Sequence, residues 1–159
     1  MITVSINTEH LFSLVNQRSL YIDNKLQPQL NELMIYVIPI TKDERDFFKI
    51  ALRDAAVRLA SVISPISKDA STPFILDEEN GLLHYTVDET RHSQPQLLES
   101  IMPALIMRGC VVWILSDWLR IKGLRRDFYQ TELAEWEEVK GELKKKKKKK
   151  TSRLKMTYY

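Results

Sequence analysis

Residues 93–143 read SQPQLLESIMPALIMRGCVVWILSDWLRIKGLRRDFYQTELAEWEEVKGEL. The first half of this stretch carries Leu97, Leu98, Ile101, Met102, Leu105, Ile106, Cys110, Val111, Trp113, Ile114, Leu115, Trp118 and Leu119. These positions fill more than one helical stripe, which predicts a helix covered on several sides. Ser93 is placed to cap its first free amides, Gln96 to reach back, and Pro95 falls in the first turn, where its missing N–H is harmless. Gly123, behind Arg120 and Lys122, is the stop signal. Pro103 inside the run predicts a kink or a later start. A second, amphipathic helix follows. Phe128, Tyr129, Leu133, Trp136, Val139 and the stem of Lys140 form its apolar stripe, and Arg125, Arg126, Glu132, Glu135, Glu137 and Glu138 are expected to face out. The pair reads as a helical hairpin. A membrane span is not expected, because only eight uncharged residues separate Arg108 from Asp117, against the roughly 20 that a bilayer requires.

Outward from this hairpin, Thr41-Lys42-Asp43-Glu44 is a capping box with acids in the first turn. Phe47, Phe48, Ala51, Leu52, Ala55, Ala56, Leu59, Ala60 and Ile63 then keep an i, i+3/i+4 rhythm up to Pro65, and the alanines allow a neighbouring helix to come close. Residues 74–87 read as a β-hairpin closed by a two-residue Asn80-Gly81 turn. That register sets Phe74 against Val87, Leu76 against Tyr85 and Glu78 against Leu83, and it gathers Phe74, Leu76, Leu83, Tyr85 and Val87 on one apolar face. A lone hairpin is marginal, so this face must cover a helix or meet another chain, and packing against a neighbouring subunit is expected. Near the N-terminus, Ile2, Val4 and Ile6 alternate weakly as a strand, and a short helix is expected over about residues 8–18. Residues 21–30, with Asp23-Asn24 and Pro28, look turn-like, and 33–40 (LMIYVIPI) look extended.

The expected architecture is mainly α: a helical bundle of three to four helices in residues 1–143, with one β-hairpin and an extended basic C-terminal arm, 144–159. A chain of 159 residues with 44% hydrophobic content can bury a core, and four glycines and six prolines favour long regular elements. Cys110 is the single cysteine, so no internal disulfide forms. With no basic-then-apolar leader in residues 1–9, a reducing compartment is expected. The net charge of +3 hides a split. From Lys144 onward there are nine basic residues and no acid, which leaves 15 basic against 21 acidic residues in 1–143, a balance of −6. An acidic body ending in a strongly basic arm is the pattern of a docking or polyelectrolyte-seeking tail.

Reactive chemistry is missing from the sequence. His10, His84 and His92 have no partners at metal-ligand spacing, the glycines do not form a phosphate loop, and Asp77, Glu78 and Glu79 sit on a tight turn suited to solvent rather than acid–base work. No catalytic, cofactor or metal site is expected. The arm therefore holds the candidate contacts: Lys144, Lys145, Lys146, Lys147, Lys148, Lys149, Lys150, Arg153 and Lys155, followed by Tyr158 and Tyr159. Lysines alone neutralise phosphates, but no aromatics interleave with them to stack bases. A small helical nucleic-acid-binding protein with a phosphate arm is therefore the alternative, and a helical regulator with a solubilising tail is a third reading.

Three segments, VSINTEHLFSLVNQRSLYIDNK, TKDERDFFKIALRDAAVRL and VVWILSDWLRIKGLRRDFYQTELAEWEEVKGEL followed by the basic end, together span most of the chain. In this layout it resembles the head-to-tail connector (adaptor or ring) proteins of tailed bacteriophages, nearest to those of crAss-like phages and related Bacteroidetes prophages. The resemblance implies a virion protein of the head–tail neck, made in the host cytoplasm. It implies a homo-oligomeric ring, a dodecamer, that binds the portal protein and tail or further connector proteins and surrounds DNA passing through its lumen. The arm, 144–159, would reach the portal. Such arms mix Lys, Arg and Pro, whereas this one begins as pure lysine.

Overall fold

The computed structural model describes residues 2–32, 39–63, 74–87 and 98–145. The protein is mainly helical, and the described residues form four α-helices and one small antiparallel sheet. Strand β1 (Ile2–Asn7) leads into helix α1 (Thr8–Glu32); after a single 3-10 turn (Lys42–Glu44) come α2 (Arg45–Ile63), the strands β2 (Phe74–Asp77) and β3 (Leu82–Val87), α3 (Leu98–Ile121), a second 3-10 turn (Arg126–Tyr129) and α4 (Gln130–Lys145).

α3 is the axis on which the rest packs. It touches α1, α2, α4 and β1, and Met102, Ile106, Cys110, Val112, Ile114, Leu115 and Leu119 are at most 1% exposed. Burial on several sides explains the run of apolar residues. Ser100–Ile121 is long and apolar enough to cross a membrane by length and composition, and half of it is buried within this chain. Pro103 lies inside the helix. The predicted start at Ser93 lies outside the described residues. At its other end Gly123 adopts φ +83°. The Leu124 amide donates to Leu119 O at 3.2 Å and the Gly123 amide to Arg120 O at 3.0 Å. This is the Schellman arrangement, completed by the buried contact residues Leu119 and Leu124.

The capping box forms as read. The Asp43 amide donates to Thr41 Oγ1, and Glu44 Oε2 accepts from the Thr41 amide at 2.8 Å. The alanine face of α2 is buried against α3. Gly109 makes the close approach possible: a Cβ there would sit 3.1 Å from Val139 Cγ1 and 3.3 Å from Leu59 Cδ2.

Three local readings are corrected. α1 does not stop near Arg18 but continues as helix to Glu32. The buried Leu11, Val15, Ser19 and Ile22, followed by the half-buried Leu26, keep the helical period through Asp23-Asn24, so packing overrides local turn preference. Next, the hairpin has a four-residue connection, not a two-residue turn. Phe74 pairs with Tyr85 and Leu76 with Leu83, while Asp77 accepts from the Asn80 amide and side chain and Gly81 takes φ +65°. The shift is an even one, so the same five residues still share a face. Finally, the hairpin is not alone. β1 pairs antiparallel with β3, Ile2 opposite Val87 and Val4 opposite Tyr85, in sheet order β1-β3-β2. Of the segment 33–40 only Pro39 and Ile40 are described. Ile40 is fully buried, its amide bonded to Ser19 Oγ at 3.1 Å and its carbonyl to Asn16 Nδ2 at 2.6 Å.

Candidate functional site

Two features stand out: the root of the basic arm at the end of α4, and an open apolar groove at the start of the same helix. α4 is held down along its length. Trp136 packs its ring 4.9 Å from that of Trp113, and Val139 and Leu143 are fully buried. Leu143 thus anchors the last turn one residue before the lysines begin. Lys144 is exposed there, and Lys145 ends the helix. Lys146 to Lys150, Arg153, Lys155, Tyr158 and Tyr159 lie outside the described residues.

The groove runs between α1, α3 and α4 and encloses about 840 Å³. Leu14, Ile22 and Leu26 of α1, Met107 and Val111 of α3, and Phe128 at the entry to α4 form its floor, with Tyr21 on the rim at 66% exposure. Its charged wall overturns the expectation that Glu132 and Glu135 face solvent. Glu132 is buried and Glu135 half-buried, with Arg18 reaching from α1 to Glu135 Oε2 at 2.5 Å and to Glu132 at 3.8 Å. From the other side Arg108 Nε donates to Glu135 Oε1 at 2.7 Å, and its Nη2 lies 3.2 Å from Glu138. Burial pushes the Glu135 carboxyl up, but hydrogen bonds from Arg18 and Arg108 outweigh it and hold the group below the usual carboxylate range. The sequence offered a signal for this network. Arg108 is the one cation in the apolar middle of α3, and such a charge needs a partner.

The hairpin face proposed as a subunit interface is corrected. Leu83, Tyr85 and Val87 are fully buried inside this chain, and Phe74 and Leu76 pack against the same core. The Tyr85 hydroxyl donates to the Ala56 carbonyl at 3.0 Å, which fixes the sheet to α2. β1 completed the sheet, and the helices covered the face that a lone hairpin would have left open.

Among the described residues no group of His, Cys, Asp and Glu could hold a metal ion. His84 Nδ1 bonds Ser5 Oγ across the sheet at 2.8 Å, and His92 lies outside the described residues. Burial pushes the Cys110 thiol up to about 12, which leaves it protonated and unreactive. Asp54 is tied to Trp113 Nε1 at 2.8 Å and to Arg58 at 3.2 Å. No protein-family model, no curated protein and no solved structure matches the chain.

Proposed function

We propose that this chain is a structural virion protein without enzymatic activity, a head-to-tail connector that assembles as a dodecameric ring between portal and tail around the DNA channel. One observation carries the reading. A folded body of charge −6 delivers a +9 segment from a helix clamped to the core as far as Leu143. A solubilising tail needs no such anchorage, whereas an arm that must reach a fixed partner from a fixed point does. An acidic body also suits a wall around DNA, since it does not grip what passes. Portal and tail proteins are the partners of this reading, and the arm is its portal-binding element.

The lysine run favours a second reading, a nucleic-acid-binding protein that uses the arm on phosphates. Light scattering on the full chain and on a chain ending at Leu143, with and without portal protein or DNA, separates the two. Assembly into a ring, alone or on the portal, that is lost without the arm is the result expected. A monomer that binds DNA through the arm, with affinity falling steeply as salt rises, would decide for the second reading.

A further inference from the structure

The groove between α1, α3 and α4 has the size and make-up of a ligand site. Its volume of about 840 Å³ lies within the roughly 300–1,000 Å³ usual for small molecules, whose sites are mostly apolar with a few placed polar groups. On α1 it runs from Leu14 to Leu26, about 18 Å at 1.5 Å per residue. One lipid chain spans half of a bilayer core of roughly 30 Å, or about 15 Å. The apolar floor of Leu14, Leu26, Met107 and Phe128 therefore suits a single extended acyl chain. The backbone leaves it clear where it returns to α1. Ile40 bonds Asn16 and Ser19, and Asn16, nine residues or two and a half turns before Lys25, is on the opposite flank of the helix.

The charges on the lining decide which head group fits. Arg18, Lys25, Arg108 and Glu132 are its ionic members. Arg18 and Arg108 are engaged by Glu132, Glu135 and Glu138, and each of these acids is held by a guanidinium in turn. A cationic head therefore finds no free acid there. Lys25 differs. It follows Arg18 by seven residues, on the same face and about 10 Å farther along α1. It is exposed and forms no ion pair with any described residue. We propose that the groove binds a free long-chain carboxylate, one molecule per chain, with the acyl chain along the apolar floor and the carboxylate on Lys25 Nζ. The site is complete within one subunit, so the inference goes beyond the ring reading and is independent of it.

Calorimetric titration of the full chain with dodecanoate, below its micellar concentration at pH 7 and physiological salt, tests it. The expected result is saturable binding of one molecule per chain, about tenfold tighter than dodecyltrimethylammonium, as one hydrogen bond between charged groups provides. Lys25→Glu is expected to weaken dodecanoate by about tenfold or more through loss of that contact. Lys49→Glu, at an exposed lysine of α2 outside the groove, is expected to leave the affinity unchanged. The two variants alter the net charge alike, so any general attraction of the basic arm for anions cancels between them. Absence of saturable binding would overturn the proposal, as would equal affinity for the carboxylate and the ammonium, or equal losses in the two variants. Binding to anionic lipid vesicles without binding of free dodecanoate would overturn it too, and would assign Lys25 to a lipid surface.

Discussion

Glu135 is the side chain on which the groove wall depends. It accepts from Arg18 and Arg108 at once, and removing it takes the nearer carboxylate from two part-buried guanidinium groups, leaving Glu132 to Arg18 and Glu138 to Arg108. Glu135→Ala is expected to cost about 1 kcal/mol, since the network is part-exposed and screened by solvent, read as a drop in urea midpoint at pH 7. Its folded pKa is depressed, so its contribution is present above the unfolded value of about 4.3 and is lost as pH falls through the lower folded value. The wild type should therefore lose stability below about pH 4.3 more steeply than Glu135→Gln does; parallel curves would show that the network does not stabilise through this charge. Tyr85 separates packing from hydrogen bonding. Tyr85→Phe loses only the bond to Ala56 O, about 1 kcal/mol, whereas Tyr85→Ala opens a cavity under the sheet and should cost about 4 kcal/mol. Glu132 and Glu135 were misplaced by sequence reasoning because glutamates on an amphipathic helix usually face water. Only Arg18 on α1 and Arg108 in the apolar middle of α3 show otherwise, and their convergence is a property of the fold.

At the scale of elements, the three-helix junction at Gly109 gives a paired expectation. Gly109→Ala gains helix propensity but drives a methyl between Val139 and Leu59; both neighbours are fully buried, and a net loss of about 1 kcal/mol is expected. Gly141→Ala meets nothing within 4 Å and should gain about 0.5 kcal/mol from the same propensity. Thermal melts of the two variants should move in opposite directions, and a stabilised Gly109→Ala would mean that the junction is looser than drawn. α2, its capping box, the glycine stop of α3 and the apolar face of the hairpin were all legible, because each depends on residues within a few turns of one another. The pairing of β1 was not. Ile2, Val4 and Ile6 announce a strand but carry no trace of which strand receives it. The length of α1 was obscured for the opposite reason: Asp23, Asn24 and Pro28 are local turn formers, and the stripe through Ile22 and Leu26 outweighs them only when α3 is in place. The hairpin register slipped by an even step because side-chain alternation fixes the face and not the turn.

For the whole molecule, charge is the dominant asymmetry. A chain ending at Leu143 falls from +3 to −6 and should move from cation- to anion-exchange retention at pH 7. Retention of the full chain on the anion exchanger at low salt would show that its arm is masked by the body. The acidic body with its basic arm was legible in the sequence at once; the groove was not, since it needs α1 brought against the distant α3 and α4. One more consequence lies in the sheet. Ile2 meets Val87, so the first strand to leave the ribosome has no partner until most of β3 has followed. At about 5–20 residues per second, β1 waits for several seconds, with α1 and α2 emerging in between. The helices therefore have time to form first, and the sheet closes over them as a late, long-range step. A protein extended at its N-terminus would carry its addition into that step, and slow assembly of the sheet, rather than loss of the helices, is where the burden would be felt.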